Sequence, residues 1–371
     1  MNTDQLDRGY FPRTEFAGLL SVLTGRGYRC AGPVLRNGAI VYDMLSGAGD
    51  LPRGIQVRQE PGSYRVDDGG TERLFDWANG PQALKPFLFT PRERLWQARR
   101  SATGELCFTE EIPHLEPLAV IGVRACDLAA LALQDKHFLE GECIDSGYAT
   151  RRTGLFLVAV NCSHPAATCF CVSTGDGPEA ATGYDLVLDE LDAGFIVSAG
   201  SAAGKEVLVQ LPVIPVTPAQ EREAQAARAG AVAMQARTLP GRDLNRLLFD
   251  NLEHARWDDV AARCLACGNC TSVCPTCFCY REVDEPALDG SVTVHNREWD
   301  SCFTQGHSYI TGMTIRPDTR TRYRQWLTHK FGSWHEQYGR SGCVGCGRCI
   351  TWCPAGIDVT AEIAALAGSV T

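Results

Sequence analysis

Cysteine is the residue type whose number and spacing could do chemistry in this sequence, because 18 of the 371 residues are cysteines. Eight of them form two groups in the last third of the chain. Within each group two, two and three residues separate successive cysteines, and a proline follows the last one. The groups are Cys264, Cys267, Cys270 and Cys274, followed by Pro275, and Cys343, Cys346, Cys349 and Cys353, followed by Pro354.

This spacing is typical of bacterial two-cluster ferredoxins. Three thiolates in a tight loop can hold three corners of an iron-sulfur cube, whereas the fourth lies past a short helical turn and reaches the other cube. Structural zinc is the alternative, but it explains neither a third cysteine two residues further on nor the repeated proline. We therefore predict two [4Fe-4S] clusters, one held by Cys264, Cys267, Cys270 and Cys353, and the other by Cys343, Cys346, Cys349 and Cys274.

A looser group of four cysteines lies in the first half of the chain. The predicted strands Leu118–Val123 and Leu155–Val160 lead into the first two of them, at the carboxyl ends where open α/β sheets usually build their sites. The residues alone leave three interpretations open, namely a third cluster, one zinc ion, or cysteines buried in the core. Asp127 could be a ligand, although capping the predicted helix DLAALALQDKHFL suits its position better. The four cysteines are Cys126, Cys162, Cys169 and Cys171.

The other six cysteines are expected to have a plain packing role. Two of them lie in CPTCFCY, which repeats the TCFC of the first half, so shielding or hydrogen-bonding a nearby cluster is the alternative for these two. The six are Cys30, Cys107, Cys143, Cys277, Cys279 and Cys302.

Composition narrows the class of protein. Lys and Arg number 35 against 44 Asp and Glu, a net charge of −9, which disfavours a nucleic-acid binder because phosphate contacts need clustered cations. The apolar stretches are too short to cross a bilayer, and the N-terminus lacks an apolar signal core, so no direct membrane insertion is expected. We expect a cytoplasmic protein, where thiols stay reduced and dense cysteine indicates metal binding rather than disulfides.

The order of strand-like and helix-like segments along the chain predicts an α+β protein. Strand-like runs alternate with turn signals up to about residue 215, ending with KEVLVQLPVI, and a Gln-, Glu-, Ala- and Arg-rich stretch follows. Leu244, Leu247, Leu248 and Leu252 then recur at helical spacing. We predict a mixed α/β domain over residues 1–217, a linker helix over 218–240, and a mainly helical ferredoxin-like domain over 241–371.

Residues 275–342 separate the two cysteine motifs, and helices are expected to fill this insert. It contains a basic run for which three interpretations stay open: a solvated helix face, cations that raise the potential of an anionic cluster, or a docking patch for an acidic partner. The run consists of Arg316, Arg320, Arg322, Arg324, His329 and Lys330.

Other signatures of chemistry are missing from the sequence. No G-x-G-x-x-G follows a strand, and AGSAAGKE (199–206) departs from a phosphate-binding loop and is interpreted as a hairpin turn. The histidines are scattered, and no nucleophile has a base at a recognisable spacing. Clusters without a substrate pocket indicate electron transfer, one electron at a time.

The sequence resembles a known family, the beta subunits of soluble NAD(P)-linked [NiFe] hydrogenases, also called sulfhydrogenases, and their relatives, the A subunits of anaerobic sulfite reductase. The blocks around Cys126 and Cys169 single out this family, whereas the ferredoxin spacing is widely shared. One departure is Ala125, where we expect proline. The matching segments are GVRACDLAAL, VNCSHPAATCFC, GDGPEAATGYDL, CLACGNCTSVCPTCFC, REWDSC, RYRQWLTHKF and GCVGCGRCITWCP.

The resemblance implies an iron-sulfur electron-transfer subunit without a catalytic site of its own. It would relay electrons between a flavin-containing NAD(P)H oxidoreductase subunit and the small and large subunits of a [NiFe] hydrogenase. In the sulfite reductase alternative, the acceptor is a sirohaem subunit. The resemblance also favours a third cluster on Cys126, Cys162, Cys169 and Cys171, and it implies no flavin or NAD(P) on this chain. Two hypotheses of other classes are a self-contained flavin reductase and a zinc-stabilised interaction module.

Overall fold

The computed structural model describes residues 7–114, 116–241 and 243–368. These residues form both helices and sheets, which confirms the predicted mixture of α and β structure. The strands are β1 (Arg8–Pro12), β2 (Arg29–Arg36), β3 (Ala39–Met44), β4 (Ile55–Glu60), β5 (Ser63–Asp68), β6 (Arg92–Arg100), β7 (Leu106–Glu110), β8 (Leu118–Val123), β9 (Leu155–Val160), β10 (Leu186–Glu190), β11 (Gly194–Ala199), β12 (Tyr280–Pro286), β13 (Val292–Trp299), β14 (Tyr309–Ile310) and β15 (Met313–Thr314).

The helices alternate with these strands in the first half and dominate the second. They are α1 (Phe16–Gly25), α2 (Lys85–Leu88), α3 (Ala125–Leu139), α4 (Ser146–Thr153), α5 (Cys171–Thr174), α6 (Ala202–Leu208), α7 (Pro218–Ala233), α8 (Leu244–Asp250), α9 (Arg256–Arg263), α10 (Asn269–Ser272), α11 (Thr319–Thr328), α12 (Trp334–Tyr338), α13 (Arg348–Thr351) and α14 (Val359–Gly368), with a π-helical turn (His329–Ser333) between α11 and α12.

The main sheet has seven strands in the order β1-β11-β10-β9-β8-β2-β3. Its centre is parallel, because β8 pairs in parallel with β2 and β9, and β9 pairs in parallel with β10. Strands β8 and β9 are continuous apolar runs that are almost completely buried, as central strands of a parallel sheet covered on both faces must be. Their carboxyl ends lie side by side, which places the residues that follow them at one edge of the sheet.

Each face of this sheet has its own apolar core. Leu19 and Leu23 of α1 pack on one face with Val207 and Leu208 of α6. On the other face Leu128 and Leu131 of α3 pack with Leu88 of α2. A third core fills the second half of the chain around Trp257, Tyr323, Trp326, Leu327 and Phe331, and Phe170 of the first half belongs to it.

A four-stranded sheet in the order β12-β13-β6-β7 joins the two halves of the chain. The expectation that helices fill residues 275–342 is therefore wrong for the first part of this insert, where β12 and β13 form a hairpin that pairs with β6. β13 begins with three consecutive β-branched residues, and Gly290 adopts a positive φ of 68° in the turn before it. Only the later part of the insert, from α11 to α12, is helical.

The segment predicted as a linker helix is a helix only as far as Ala233. It begins with a capping box between Thr217 and Gln220 and packs its buried Ala224 beside the main sheet. The segment 199–206 was expected to be a hairpin turn, and KEVLVQLPVI a strand. Both expectations are wrong, since Ser201 caps the short helix α6 there.

None of the helices in the three described ranges is long and apolar enough to cross a membrane.

Buried charges hold the four-stranded sheet to the rest of the protein. Arg297 of β13 is 5% exposed and lies 2.6 Å from the carboxylate of Glu93 in β6. It also pairs with Asp145, whose side chain caps α4. Three structural elements that are distant in sequence thus meet at one guanidinium group.

We expect the Arg297→Met variant to lose about 3 kcal/mol of unfolding free energy, because the buried Glu93 would keep only Arg151 as its cation and the partly buried Asp145 would lose its partner. The matched control is Arg281→Gln in β12, which removes an exposed pair with Glu298 worth less than about 1 kcal/mol. Thermal unfolding followed by circular dichroism measures the difference. Equal falls in Tm for the two variants would contradict this account.

Candidate functional site

The predicted ligand cysteines gather in three groups. Site 1 is a cavity lined by Cys264, Cys267 and Cys270 from the first motif and by Cys353 from the second. Its walls are mainly apolar and include Leu265, Phe303, Tyr323 and Trp326. The structure therefore brings together the first three cysteines of one motif and the fourth cysteine of the other, which is the set predicted for one cluster.

The two cysteine motifs fold alike. Ala266 and Gly345, each two residues after the first cysteine of its motif, have positive φ and direct their backbone N–H to the sulfur of that cysteine at 3.4 Å. Gly268 and Gly347, two residues further on, also have positive φ and begin the short helices α10 and α13. Because the loops share these turns, each third cysteine lies in a helical turn and each fourth lies beyond it.

Site 2 consists of Cys274, Cys343, Cys346 and Cys349. Burial raises the pKa of Cys343 and Cys349, and negative charge on the other thiols of the set raises it further. The pKa of Cys274 is instead held well below its usual value, chiefly by a hydrogen bond from the Cys277 thiol and also by the ammonium group of Lys330. A lowered pKa favours the thiolate, which is the form that binds metal.

Site 3 consists of Cys126, Cys162, Cys169 and Cys171. Cys126 lies in the first turn of α3 after β8, and Cys162 follows β9, as the sequence predicts. Burial and the charge of Cys162 and Cys171 raise the pKa of the Cys169 thiol. Burial also raises the pKa of Cys126, with further contributions from Asp127, Cys346 and Cys171. The four thiols thus lie close enough for the charge on one to change the pKa of another.

The three sites adjoin in a row with site 2 in the middle. Cys349 of site 2 lines the cavity of site 1. On the opposite side, Cys346 packs in the same apolar cluster as Cys126, and its carbonyl oxygen lies 3.8 Å from the sulfur of Cys169. Charges at site 2 therefore act on both of its neighbours.

A buried ion pair separates site 2 from site 3. Arg348 and Asp127 are both 1% exposed in their side chains and lie 2.8 Å apart. Their alignment is poor, so both terminal nitrogens of Arg348 are buried without a hydrogen-bond acceptor in the described residues. Asp127 neither caps α3, whose cap residue is Arg124, nor stands free as a ligand. It instead accepts a hydrogen bond from Asn79 and balances Arg348.

The six other cysteines divide into three kinds. Cys30 is buried in the core beneath the main sheet, whereas Cys107 and Cys143 are exposed. The other three line a cavity beside site 2 together with His307 and Lys330: they are Cys277, Cys279 and Cys302. The expected packing role holds for Cys30 but not for the exposed Cys107 and Cys143. For Cys277, the hydrogen bond to Cys274 favours the alternative interpretation.

The basic run does not form a solvated helix face. Arg322 is buried and donates hydrogen bonds to three backbone carbonyls, and Lys330 is 4% exposed beside site 2. Arg320 and Arg324 pair with Glu253. The spacing of the basic residues in the sequence does not show that Lys330 is buried, because the π-helical turn that begins at His329 shifts the helical register there.

The cysteines are not arranged around a single ion. Among the described residues, no three Cys, His, Asp or Glu side chains converge closely enough to hold one metal ion. A zinc site needs four donors at bonding distance from one centre, whereas a four-iron cube holds its thiolates further apart.

Comparisons with known proteins agree with this interpretation. A family model described as a 4Fe-4S dicluster domain matches residues 263–357. The chain is 31% identical over 304 residues to sulfhydrogenase 2 subunit beta of Pyrococcus furiosus, an alignment that covers 80% of this chain and 86% of the relative. No solved structure matches. These likenesses support an iron-sulfur electron-transfer role.

His307 provides a pH-dependent contact beside site 2. Hydrogen bonds with Asp300 and Cys279 raise the pKa of His307 to about 9. Because the folded pKa is above the unfolded value of about 6.5, the stabilisation is complete below about pH 6.5 and is lost as the pH rises through about 9.

The His307→Gln variant should therefore have a lower Tm than the wild type at about pH 6, and the gap should close by about pH 10. Thermal unfolding over this range measures it. The control is His335→Gln, which replaces an exposed histidine of α12. A gap that is independent of pH would show that the charge of His307 does not contribute.

Proposed function

The chain belongs to the family of sulfhydrogenase beta subunits, and from this premise we propose that it relays single electrons through three [4Fe-4S] clusters. The donor and acceptor in this proposal are a flavin subunit that handles NAD(P)H and a [NiFe] hydrogenase module in the cytoplasm. The observation that carries the proposal is the row of three buried thiol sites with site 2 between the others.

The residues at each site fit such a group. Sites 1 and 2 each offer four thiols from the two ferredoxin-type motifs, and site 3 offers four more from one edge of the main sheet. The unsatisfied N–H groups of Arg348 lie where inorganic or thiolate sulfur could accept them. A buried guanidinium without acceptors is costly, so a sulfur-rich group beside it would satisfy it.

In this proposal, the ligands at site 1 are Cys264, Cys267, Cys270 and Cys353, those at site 2 are Cys274, Cys343, Cys346 and Cys349, and those at site 3 are Cys126, Cys162, Cys169 and Cys171. Iron-sulfur clusters supply reversible one-electron chemistry. The chain's own residues hold the sites in order and keep water away. Phe303, Tyr323 and Trp326 shield site 1, and the Arg348–Asp127 pair fills the space between sites 2 and 3.

One end of the row reaches the surface. Cys267 is exposed, unlike the other eleven proposed ligands, and the neighbouring Leu265 is 68% exposed. We place the docking surface of one electron-transfer partner here, because an exposed apolar residue beside a redox site is suited to a protein contact.

The A subunit of an anaerobic sulfite reductase is the second candidate. It would use the same three sites and would differ in its acceptor, a sirohaem subunit. The likeness to a protein named as a sulfhydrogenase subunit favours the hydrogenase assignment. Co-purification of the complex decides between them, since a [NiFe] protein supports the first and a sirohaem protein the second.

The experiment that tests the cluster number is iron, acid-labile sulfide, zinc and flavin analysis of the anaerobically purified chain. We expect about twelve irons per chain and about eight in the Cys162→Ser variant, because site 3 would lose a ligand. The control is Cys30→Ser, which replaces a thiol in the apolar core and should keep the full iron content. About eight irons in the wild type would overturn the third cluster, and stoichiometric zinc would overturn all three.

A further inference from the structure

Lys330 is a buried cation without a carboxylate partner. It is 4% exposed, and no Asp or Glu of the described residues forms an ion pair with it. Isolating a charge from water costs several kcal/mol unless opposite charge compensates it. The groups whose negative charge raises the pKa of Lys330 against the effect of burial include the sulfurs of Cys274 and Cys343.

The π-helical turn explains how this lysine reaches the interior. The turn inserts one extra residue between α11 and α12, and such turns often occur at functional sites. It points the Lys330 side chain over the ring of Trp334 at 4.8 Å, and the ammonium group donates to Thr276 Oγ1 at 2.8 Å. Thr276 Oγ1 in turn lies 3.2 Å from the sulfur of Cys274.

Two further groups act on the same sulfur. The thiol of Cys277 hydrogen-bonds to Cys274, which leaves the charge on Cys274. Lys85, which is 6% exposed, donates to the carbonyl oxygen of Cys274 at 3.4 Å and lies 3.9 Å from the centre of the Trp299 ring. Burial lowers the pKa of Lys85, whereas the pKa of Lys330 is raised, so Lys330 keeps its positive charge to a higher pH than Lys85 does.

Sites 1 and 3 have no such excess of positive charge. Beside site 1, Arg256 and Arg263 face two carboxylates, those of Glu362 and Asp259. Beside site 3, Arg348 pairs with Asp127, and Asp176, which acts on Cys171, pairs with Arg340. The buried Arg124 donates to backbone carbonyls, and Asp76 opposes its effect on Cys162. At site 2, by contrast, no carboxylate of the described residues pairs with Lys330, whose charge faces the sulfurs of the site.

We propose that Lys330 and Cys277 give the redox group of site 2 the highest reduction potential of the three, so that an electron in transit rests in the middle of the row. Reduction adds negative charge to a group that is already anionic, and a nearby cation or hydrogen-bond donor stabilises the reduced form more than the oxidised one. This inference rests on the proposed three-cluster function.

The test is a redox titration of the anaerobically purified full chain, with the reduced sites followed by electron paramagnetic resonance. In the Lys330→Met variant, the highest of the three midpoint potentials should fall while the other two stay. We expect at least a tenfold change in the ratio of reduced to oxidised site, which is about 59 mV for a one-electron couple. Lys330→Arg keeps the charge and should keep most of the potential.

The matched control is Arg324→Gln, which removes a cation of the same basic run that pairs with Glu253. It should leave all three midpoints unchanged. If Lys330→Met moves none of the midpoints, moves a lower one, or moves all three equally, the proposal is overturned.

Cys277 gives a second test that does not depend on the folding of the lysine variant. Cys277→Ala removes the donor and should lower the same midpoint, whereas Cys277→Ser keeps a donor and should restore part of the shift. Equal potentials in these two variants would refute the role of Cys277. Iron analysis distinguishes failure of the proposed function from failure of this inference. A chain without clusters overturns the proposed function. A chain with three clusters, in which site 2 does not have the highest potential, overturns this inference alone.

Discussion

The arrangement of the three sites depends on one close contact between backbones. A Cβ atom on Gly345 would lie 2.5 Å from the amide nitrogen of Cys171, and one on Gly347 would lie 2.4 Å from the carbonyl oxygen of Thr168. Only glycine allows this approach, and both residues also need positive φ. Because Cys346 lies between the two glycines, and Cys169 and Cys171 lie in the facing loop, the contact brings the thiols of sites 2 and 3 together.

The same contact explains why the two halves of the chain cannot act as independent domains. Phe170, in the facing loop, is completely buried in the core of the second half. Gln59 and Thr168 of the first half hydrogen-bond to Thr351 of α13, while β13 of the second half pairs with β6 of the first. A relay that crosses from one half to the other requires fixed distances between its sites, and these contacts supply that rigidity.

Some of this organisation could be predicted from the sequence because it depends on local pattern. The repeated cysteine spacing predicts the grouping of Cys353 with the first motif, and the apolar runs before Cys126 and Cys162 predict where these residues lie. The strands β12 and β13 were missed because their partner, β6, lies almost 200 residues away. Asp127 was misassigned as a cap for a related reason, since its partner Arg348 is also remote in sequence. The burial of Lys330 depends on a π-helical turn that no regular periodicity indicates.

Charge balance distinguishes the three sites more sharply than their ligands do. Near site 1 the carboxylates of Glu362 and Asp259 face Arg256 and Arg263, so the protein neutralises its own charges there. At site 2 the described residues offer Lys330 no carboxylate, and protonated thiols would leave its charge uncompensated at a cost of several kcal/mol. Thiolates remove that cost, and metal binding requires thiolates. In the proposed function, the buried lysine would therefore couple the stability of the folded chain to the loading of site 2, and the charge that stabilises the loaded site would be the same charge that favours an added electron.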